Sequence, residues 1–441
     1  MTHKKAPVRS IPDLDNLKIC IIGLGYVGFP LARLFATKYP TVGFDINPQR
    51  VGELNEGHDS RLEIPDKLVA EALTRNNLLL TSDIADMADC NFYVVAVPTP
   101  VREKNVPDLK PLLGASELVG KVLSEGDVVV YESTVYPGVT EEMCVPVLER
   151  VSGLRFNEGF YCGYSPERVN PGDRLHTVES IRKVTSGSTP EVADLIDKVY
   201  GSVLINGTFK ASSIKVAEAS KIIENCQRDV NIAFFNEIAK ILHAIGLDTE
   251  EVTEAAASKW NFIRMKPGLV GGHCISVDPY YLIQKAREHD INPELLVSAR
   301  ATNENMGEYV ARQVIDLMNR KGIMVKDADV LILGFTFKEN CPDTRNTKVV
   351  EIRDVLKEYT SNIDVVDPLA DAKDVADVYG IGLKKWTEGA GTGKKYDAVI
   401  LAVAHREFTG LDVRELLKDS ERGVVYDVKG VLPRELVDGR L

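Results

Sequence analysis

Residues 18–28 read KICIIGLGYVG, and no other stretch narrows the choice of fold as much. A short β-branched run ends in G-x-G-x-x-G and passes straight into the apolar-periodic PLARLFATKY. The pattern predicts a strand, a tight turn and a helix. Gly23 permits the turn, Gly25 lets the backbone approach a pyrophosphate, and Gly28 lets helix and strand pack closely. The helix start, with Tyr26 and Val27, offers N–H groups and a positive dipole end to phosphates. A second strand, TVGFDIN at 41–47, ends in Asp45, where an acid binds a ribose 2′-hydroxyl. An acid there favours NAD over NADP, and Arg50 just behind it weakens that preference.

The first half continues with strands at NFYVVAVP (91–98) and DVVVYEST (127–134), separated by a helical stretch at 108–123. The far end of the chain repeats the theme. DVLILGFTF (329–337) resembles KICIIGLGY, YDAVILAVAH (396–405) resembles NFYVVAVPTP, and GVVYDVKG (423–430) resembles VVVYESTV. The fold class is therefore α/β, with two Rossmann-like doubly wound domains at 15–210 and 325–441. The second lacks the glycine fingerprint, so it is expected to bind something other than a dinucleotide. Between them, 211–244 contains neither Pro nor Gly and predicts one long central helix of about 50 Å, ended by Gly246. A second long helix is expected at 293–320. The stretch 211–324 reads as a central helical and catalytic-loop domain and a homodimer contact, and residues 1–14 as a flexible polar arm.

Composition removes several classes of function. At 441 residues the chain needs two or three domains, and 44% hydrophobic residues suffice for their cores. A net charge of −12 disfavours nucleic acid as a partner. There is no apolar run of about 18 residues, so no membrane span is expected. The seven cysteines are scattered, odd in number and contain no C-x-x-C. That argues against a metal site or a disulfide framework and fits a reducing cytoplasm.

The chemistry-bearing residues lie in four segments. Lys221 and Asn225 share one face of the long helix, an amine beside an amide. Taken alone, the pair also reads as a solvated polar face. Cys274 follows the glycine-rich PGLVGG, with Asp278 four residues on. It is a nucleophile in one reading and a small buried residue in the other. His273 is expected to order the loop. SPERVNPGDRL (165–175) sets Glu167, a base for water, and Arg168 after the strand GFYCGY. Ser133 and Thr134, with Pro98, Thr99 and Pro100, end neighbouring strands, and open α/β sheets bind ligands at strand carboxyl ends. A dinucleotide site, a thiol, a Lys/Asn pair and an acid suit oxidation of an alcohol through the aldehyde to an acid. The thiol holds the aldehyde as a thiohemiacetal.

In order along the chain, ESTVYPG, SPERV, EASKIIEN, GGHCISVDPYYL and GFTFKENCPDTRN resemble the UDP-glucose/GDP-mannose dehydrogenase family. The match is similar to the branch that acts on UDP-N-acetylhexosamines, UDP-GalNAc or UDP-GlcNAc, in bacterial surface-polysaccharide synthesis (capsule or O-antigen). The resemblance implies an NAD-dependent, four-electron 6-dehydrogenase that works as a cytoplasmic homodimer. It implies Cys274 as nucleophile, Lys221 and Asn225 as oxyanion donors, and Asp278, Glu167 and Thr134 serving the proton transfers and the water. Arg345 is then turned to the cofactor. Lys338 contacts the UDP part, and Arg168 and Gly271 line the substrate. An acid expected after the SPE element is replaced by Asn170–Pro171, which leaves its role to Glu167. Tyr280, Tyr281 and Trp260–Asn261–Phe262 flank the cysteine loop as packing or pocket aromatics. Arg264 and Lys266 are candidates for the pyrophosphate. UDP-ManNAc and UDP-glucose remain alternative substrates. A two-electron β-hydroxyacid dehydrogenase is the rival enzyme, and a catalytically dead nucleotide-sugar-binding protein is the non-enzymatic reading.

Overall fold

The computed structural model describes residues 11–60, 64–74, 77–102, 106–168, 177–387 and 391–441. Residues 1–10 of the expected arm and the Asn170–Pro171 substitution lie outside the described residues. The chain forms two compact units, residues 1–224 with 280–289, and residues 225–279 with 290–441.

The first unit begins with β1 (Ile19–Ile22), α1 (Gly28–Phe35), β2 (Thr41–Phe44), α2 (Pro48–Asn55), α3 (Asp66–Leu73), β3 (Leu78–Thr81) and β4 (Phe92–Val95). A short antiparallel pair follows, β5 (Val101–Arg102) with β6 (Val106–Pro107), and then α4 (Lys110–Gly120) and β7 (Val128–Tyr131). It continues through α5 (Val145–Ser152), β8 (Tyr161–Tyr164), β9 (Lys183–Gly187), α6 (Pro190–Gly201) and β10 (Thr208–Lys210). Its eight-stranded sheet runs in the order β10-β9-β8-β7-β4-β1-β2-β3. Every pairing is parallel except β8 with β9. The central strands are apolar throughout and buried on both faces, as helix-covered parallel strands must be.

Helix α7 (Ile214–Ala244) is 31 residues long and runs from the first unit into the second. The sequence set its start at 211. The Ser213 hydroxyl accepts the N–H of Val216 and caps the helix three residues later. Its far end closes at Gly246, φ +78°, as the Leu247 N–H turns back to the Leu242 carbonyl. The elements α8 (Thr249–Ala257), α9 (Asp278–Glu288), α10 (Glu294–Glu304) and α11 (Met306–Arg320) follow. The single helix expected at 293–320 is thus two helices, broken at Asn305. Each half serves a different partner. On α10, Arg300 and Asn303 face Asp229 of α7. On α11, Met306, Val310, Val314 and Met318 enter the second unit's core. Gly307 lets α11 close on the next helix, since a Cβ there would lie 2.9 Å from the Lys348 carbonyl.

The second unit's sheet uses β11 (Val330–Leu333), β12 (Ile363–Val366), β13 (Ala398–Leu401), β14 (Val424–Asp427) and β15 (Gly439–Arg440). Helices α12 (Val349–Lys357) and α13 (Ala372–Tyr379) accompany it. The order is β12-β11-β13-β14-β15, all parallel. β11 sits between β12 and β13 as β1 sits between β2 and β4, the layout that the sequence likeness predicts. No helix among the described residues is long and apolar enough to cross a membrane.

Two glycine substitutions separate close packing from helix propensity. A Cβ on Gly28 would lie 1.7 Å from the Gly23 carbonyl oxygen, whereas one on Gly114, within α4, meets nothing within 4 Å. Gly28→Ala is expected to destabilise by on the order of 3 kcal/mol. Gly114→Ala is expected to stabilise by about 0.5–1 kcal/mol. Thermal unfolding of both variants checks the order of their midpoints.

Candidate active site

The glycine turn is built as its spacing predicts. Gly23 has φ +94°, and a Cβ there would lie 2.9 Å from the Ala96 carbonyl oxygen. Tyr26 and Val27 stand half-exposed where α1 begins. Asp45, just past β2, accepts the Leu24 N–H at 2.8 Å and the Asn47 N–H at 2.9 Å. Its carboxylate therefore sits beside the turn. Arg50 is buried instead; it donates to the Leu24 carbonyl at 3.0 Å and pairs with Asp59 at 2.7 Å. It braces the turn from inside. The turn accordingly fits a dinucleotide: glycines where side chains would collide, and an acid at the ribose position.

The carboxyl ends of β4, β7 and β8 carry the next group. Pro98 is exposed and Thr99 half-buried, and the Thr99 carbonyl accepts the Tyr281 hydroxyl at 3.0 Å. Tyr281 is fully buried against Tyr136, so it is a packing aromatic. Ser133 donates to the Val97 carbonyl at 2.6 Å, tying two strand ends, while Thr134 is half-buried. Glu167 is buried, with its carboxylate 3.0 Å from the Lys183 ammonium. The same ammonium lies 2.7 Å from Glu132, which also accepts the Tyr200 hydroxyl at 2.6 Å. Burial pushes Glu132 up to about 7, against the pull of Lys183 and with the push of Glu167. Burial opposes charge on Lys183, but the two carboxylates outweigh it and raise its pKa.

Helix α7 joins this group. Lys221 donates from Nζ to the Glu167 carbonyl at 2.8 Å, and Arg168 donates to the Lys221 carbonyl at 2.9 Å and pairs with Glu224. Glu218, fully buried, accepts the N–H groups of Gly138 and Thr140 at 2.6 and 2.9 Å.

In the second unit, Asn225 and Asp278 are both buried and hydrogen-bonded to one another. With Lys221 6% and Asn225 1% exposed, the pair is not a solvated face. Of the seven cysteines, Cys274 alone is not buried. The glycines before it are forced by packing. A Cβ on Gly271 would lie 2.7 Å from the Asn346 carbonyl oxygen, and Gly272 has φ +82° against the Phe337 ring. His273 lies 3.3 Å from Asp343, which also binds Arg345. Burial disfavours the imidazolium, yet the Cys274 sulfur and Asp343 outweigh it and raise His273 to about 9. Burial likewise opposes the Asp343 charge, but His273 and Arg345 hold its carboxyl well below the usual range. An imidazolium beside a sulfur is an arrangement that favours thiolate. Cys226 is the contrast, buried and pushed up to about 12. Lys338 and Lys429 line one small depression with Leu269 of the cysteine loop.

Asp343, Lys183, Glu132 and Glu218 are the groups that sequence reasoning missed. Their signal was a charge in an otherwise apolar setting: Glu132 closing VVVYE and Lys183 opening KVTSG. Of the flanking aromatics, Phe262 packs on Phe235, whereas Trp260 is 97% exposed. Arg264 and Lys266 pair with Glu250 at 2.7 and 3.2 Å.

The His273 charge gives a pH dependence with a definite sign. Its folded value lies above the ordinary 6.5, so its stabilising effect is complete below pH 6.5 and is lost as pH rises through about 9. NMR titration of the imidazole is expected to give about 9 in the parent and a value moved toward 6.5 in Asp343→Asn. The unfolding midpoint of the variant should fall at lower pH.

Three family models match the chain in succession. They are the NAD binding domain (17–204), the central domain (215–305) and the UDP binding domain (331–434) of the UDP-glucose/GDP-mannose dehydrogenase family. The UDP-N-acetyl-D-glucosamine 6-dehydrogenase of Pseudomonas aeruginosa is 52% identical over 97% of this chain and 100% of its own. The protein of the same name in Salmonella typhi is 52% identical over 97% and 99%. The solved UDP-D-ManNAc dehydrogenase of Pyrococcus horikoshii superposes with a TM-score of 0.86 at 29% identity, over 96% of this chain and 98% of that one. The glycine turn with its acid, the full-length likeness and the three consecutive domain matches agree: the chain belongs to the UDP-glucose/GDP-mannose dehydrogenase family of NAD-dependent oxidoreductases.

Proposed function

We propose that the chain oxidises C6 of a UDP-N-acetylhexosamine to the uronate through a thiohemiacetal and a thioester on Cys274. The observation that carries this reading is that Cys274 is the one cysteine not buried, beside an imidazolium held by Asp343. The names of the two relatives at 52% identity favour UDP-GlcNAc, with UDP-GalNAc the epimer to test against it.

The glycine turn with Asp45 would hold NAD, which would supply the hydride acceptor for each of two oxidations. The Cys274 sulfur adds to the C6 aldehyde and keeps it on the protein for the second. Lys221 and Asn225, one turn apart on α7, donate to the oxyanions at C6, a kind of contact that lowers a barrier by about 3 kcal/mol per donor. Asp278 orients the Asn225 amide and assists proton transfer. Glu167 takes a proton from the water that hydrolyses the thioester, with Thr134 beside that water. Lys338 meets the UDP phosphates, Arg168 and Gly271 line the sugar side, and Arg345 serves the cofactor.

The reading extends to assembly and setting. Val216, Ile223, Phe234 and Ile241 are exposed and fall on one stripe of α7. A second copy of the chain covers that stripe in a homodimer. The protein works in the cytoplasm and supplies a uronate for surface polysaccharide.

Incubation with UDP-GlcNAc, UDP-GalNAc, UDP-ManNAc or UDP-glucose and NAD is expected to release two NADH per UDP-N-acetylhexosamine, with no free aldehyde. One NADH per sugar would instead support the two-electron rival. Cys274→Ser should lower uronate formation on the order of 10³-fold or more while NAD still binds; parent turnover in that variant rules out the covalent step. Phe234→Asp should shift the mass measured by light scattering from dimer toward monomer.

A further inference from the structure

The single antiparallel pairing in the first sheet has a chemical consequence. Because β9 runs against β8, its first residue lies at the edge where the parallel strands end. Extending the register of Gly163 with Gly187 and Tyr164 with Ser186 sets Lys183 opposite Glu167. β7 lies on the other side of β8, and Glu132 follows it directly. One ammonium therefore bridges two carboxylates at the carboxyl edge, with Lys183 and Glu132 fully buried and the Glu167 side chain 6% exposed. We infer that Lys183 and Glu132 are positioning residues for Glu167, fixing its carboxylate and coupling hydrolysis of the acyl-enzyme to the charge on Glu132. This rests on the proposed role of Glu167 as the group that activates water.

The surroundings of Glu167 are specific. Its Oε2 faces Lys183 at 3.0 Å, its Oε1 accepts the Arg168 N–H at 2.5 Å, and its carbonyl accepts Lys221 Nζ at 2.8 Å. Among the described residues of this unit, the charged and titratable groups packed about it include Lys183 and Glu132 from the sheet, Tyr200 from α6, and Lys221 with the Arg168–Glu224 pair along α7. Lys183 also donates to the Pro166 carbonyl at 3.2 Å, so the ammonium holds the main chain as well as the carboxylate.

The step balances within the chain. Water oxygen attacks the acyl carbon, and its proton passes to the Glu167 carboxylate. The carbon–sulfur bond breaks, and sulfur leaves as thiolate. Two buried carboxylates sharing one cation carry an excess negative charge. When Glu132 is ionised, Lys183 divides its charge between both, and Glu167 holds the water's proton more firmly. When Glu132 is protonated, the whole ammonium charge falls on Glu167 and weakens it as a base. Glu132 changes state near pH 7, so hydrolysis rises through that pH.

The test is single-turnover hydrolysis of the acyl-enzyme formed from UDP-GlcNAc and NAD, followed by mass spectrometry from pH 6 to 8.5. In the parent, the rate is expected to climb several-fold through pH 7. Glu132→Gln, which keeps the shape and still accepts from Lys183 through its amide oxygen, should stay at the low-pH rate with KM unchanged. Lys183→Met should lower kcat more than KM, with partial rescue in Lys183→Arg. A Glu132→Gln profile that overlays the parent's overturns the inference. Glu167→Gln separates the two levels. If it accumulates acyl-enzyme while Glu132→Gln tracks the parent, only the coupling fails. If Glu167→Gln hydrolyses at the parent rate, the assignment of Glu167 fails and the coupling with it.

Discussion

Helix α7 buries a row of polar side chains alongside its apolar ones. Glu218, Lys221, Asn225, Asp229 and Asn236 are all buried, at spacings that keep them on one face. Each reaches a different segment. Glu218 holds the 138–140 turn, and Lys221 the SPE element. Asn225 holds Asp278, Asp229 holds Arg300 and Asn303, and Asn236 both donates to and accepts from Gly268. Within each unit these segments are thus held to their own stretch of α7 by buried hydrogen bonds. A buried polar group left unpaired is expensive, so the stripe specifies where these loops must lie.

Burial also separates the cysteines from one another. Cys226 lies on α7 next to the polar stripe, yet burial and the nearby Asp278 and Asp229 keep it neutral. Cys144 and Cys162 are likewise pushed up by burial. Cys274 is half-buried, in a loop whose Gly271 and Gly272 lie close against Asn346 and Phe337. Glycines in this loop therefore act less as hinges than as points of close approach.

Much of this was legible in the sequence. The glycine spacing predicted a turn whose Cβ positions are indeed closed, and the four-residue interval between Lys221 and Asn225 predicted a shared face. Burial of that face was not legible. Helical periodicity says which residues share a side but not which side is wet. Glu132 and Lys183 were missed for another reason. They are 51 residues apart, and only the antiparallel entry of β9 brings them together. Asp343 was overlooked beside Arg345 because the partner that gives it meaning, His273, is 70 residues away. The break at Asn305 was invisible because both flanking segments keep helical spacing; the kink follows from two packing demands that one straight rod cannot meet.

The two sheets show how one layout comes to serve different ends. In each, an acid just past the second strand caps the turn after the first: Asp45 accepts the Leu24 N–H, and Asp367 accepts the Phe335 and Thr336 N–H groups. Beyond that they diverge. Asp45 remains partly exposed beside a glycine turn. Asp367 is bonded at 3.0 Å to His405, and the same imidazole nitrogen lies 2.9 Å from the Thr336 hydroxyl. Burial opposes the Asp367 charge, but His405 and the backbone donors hold its carboxyl at about 2. The second turn is thereby filled by its own side chains. A pyrophosphate needs open backbone N–H groups at that position, and here an imidazole occupies their approach. The second turn thus carries His405 where the first carries its glycines, and lysines such as Lys338 and Lys429 offer positive charge at the depression nearby.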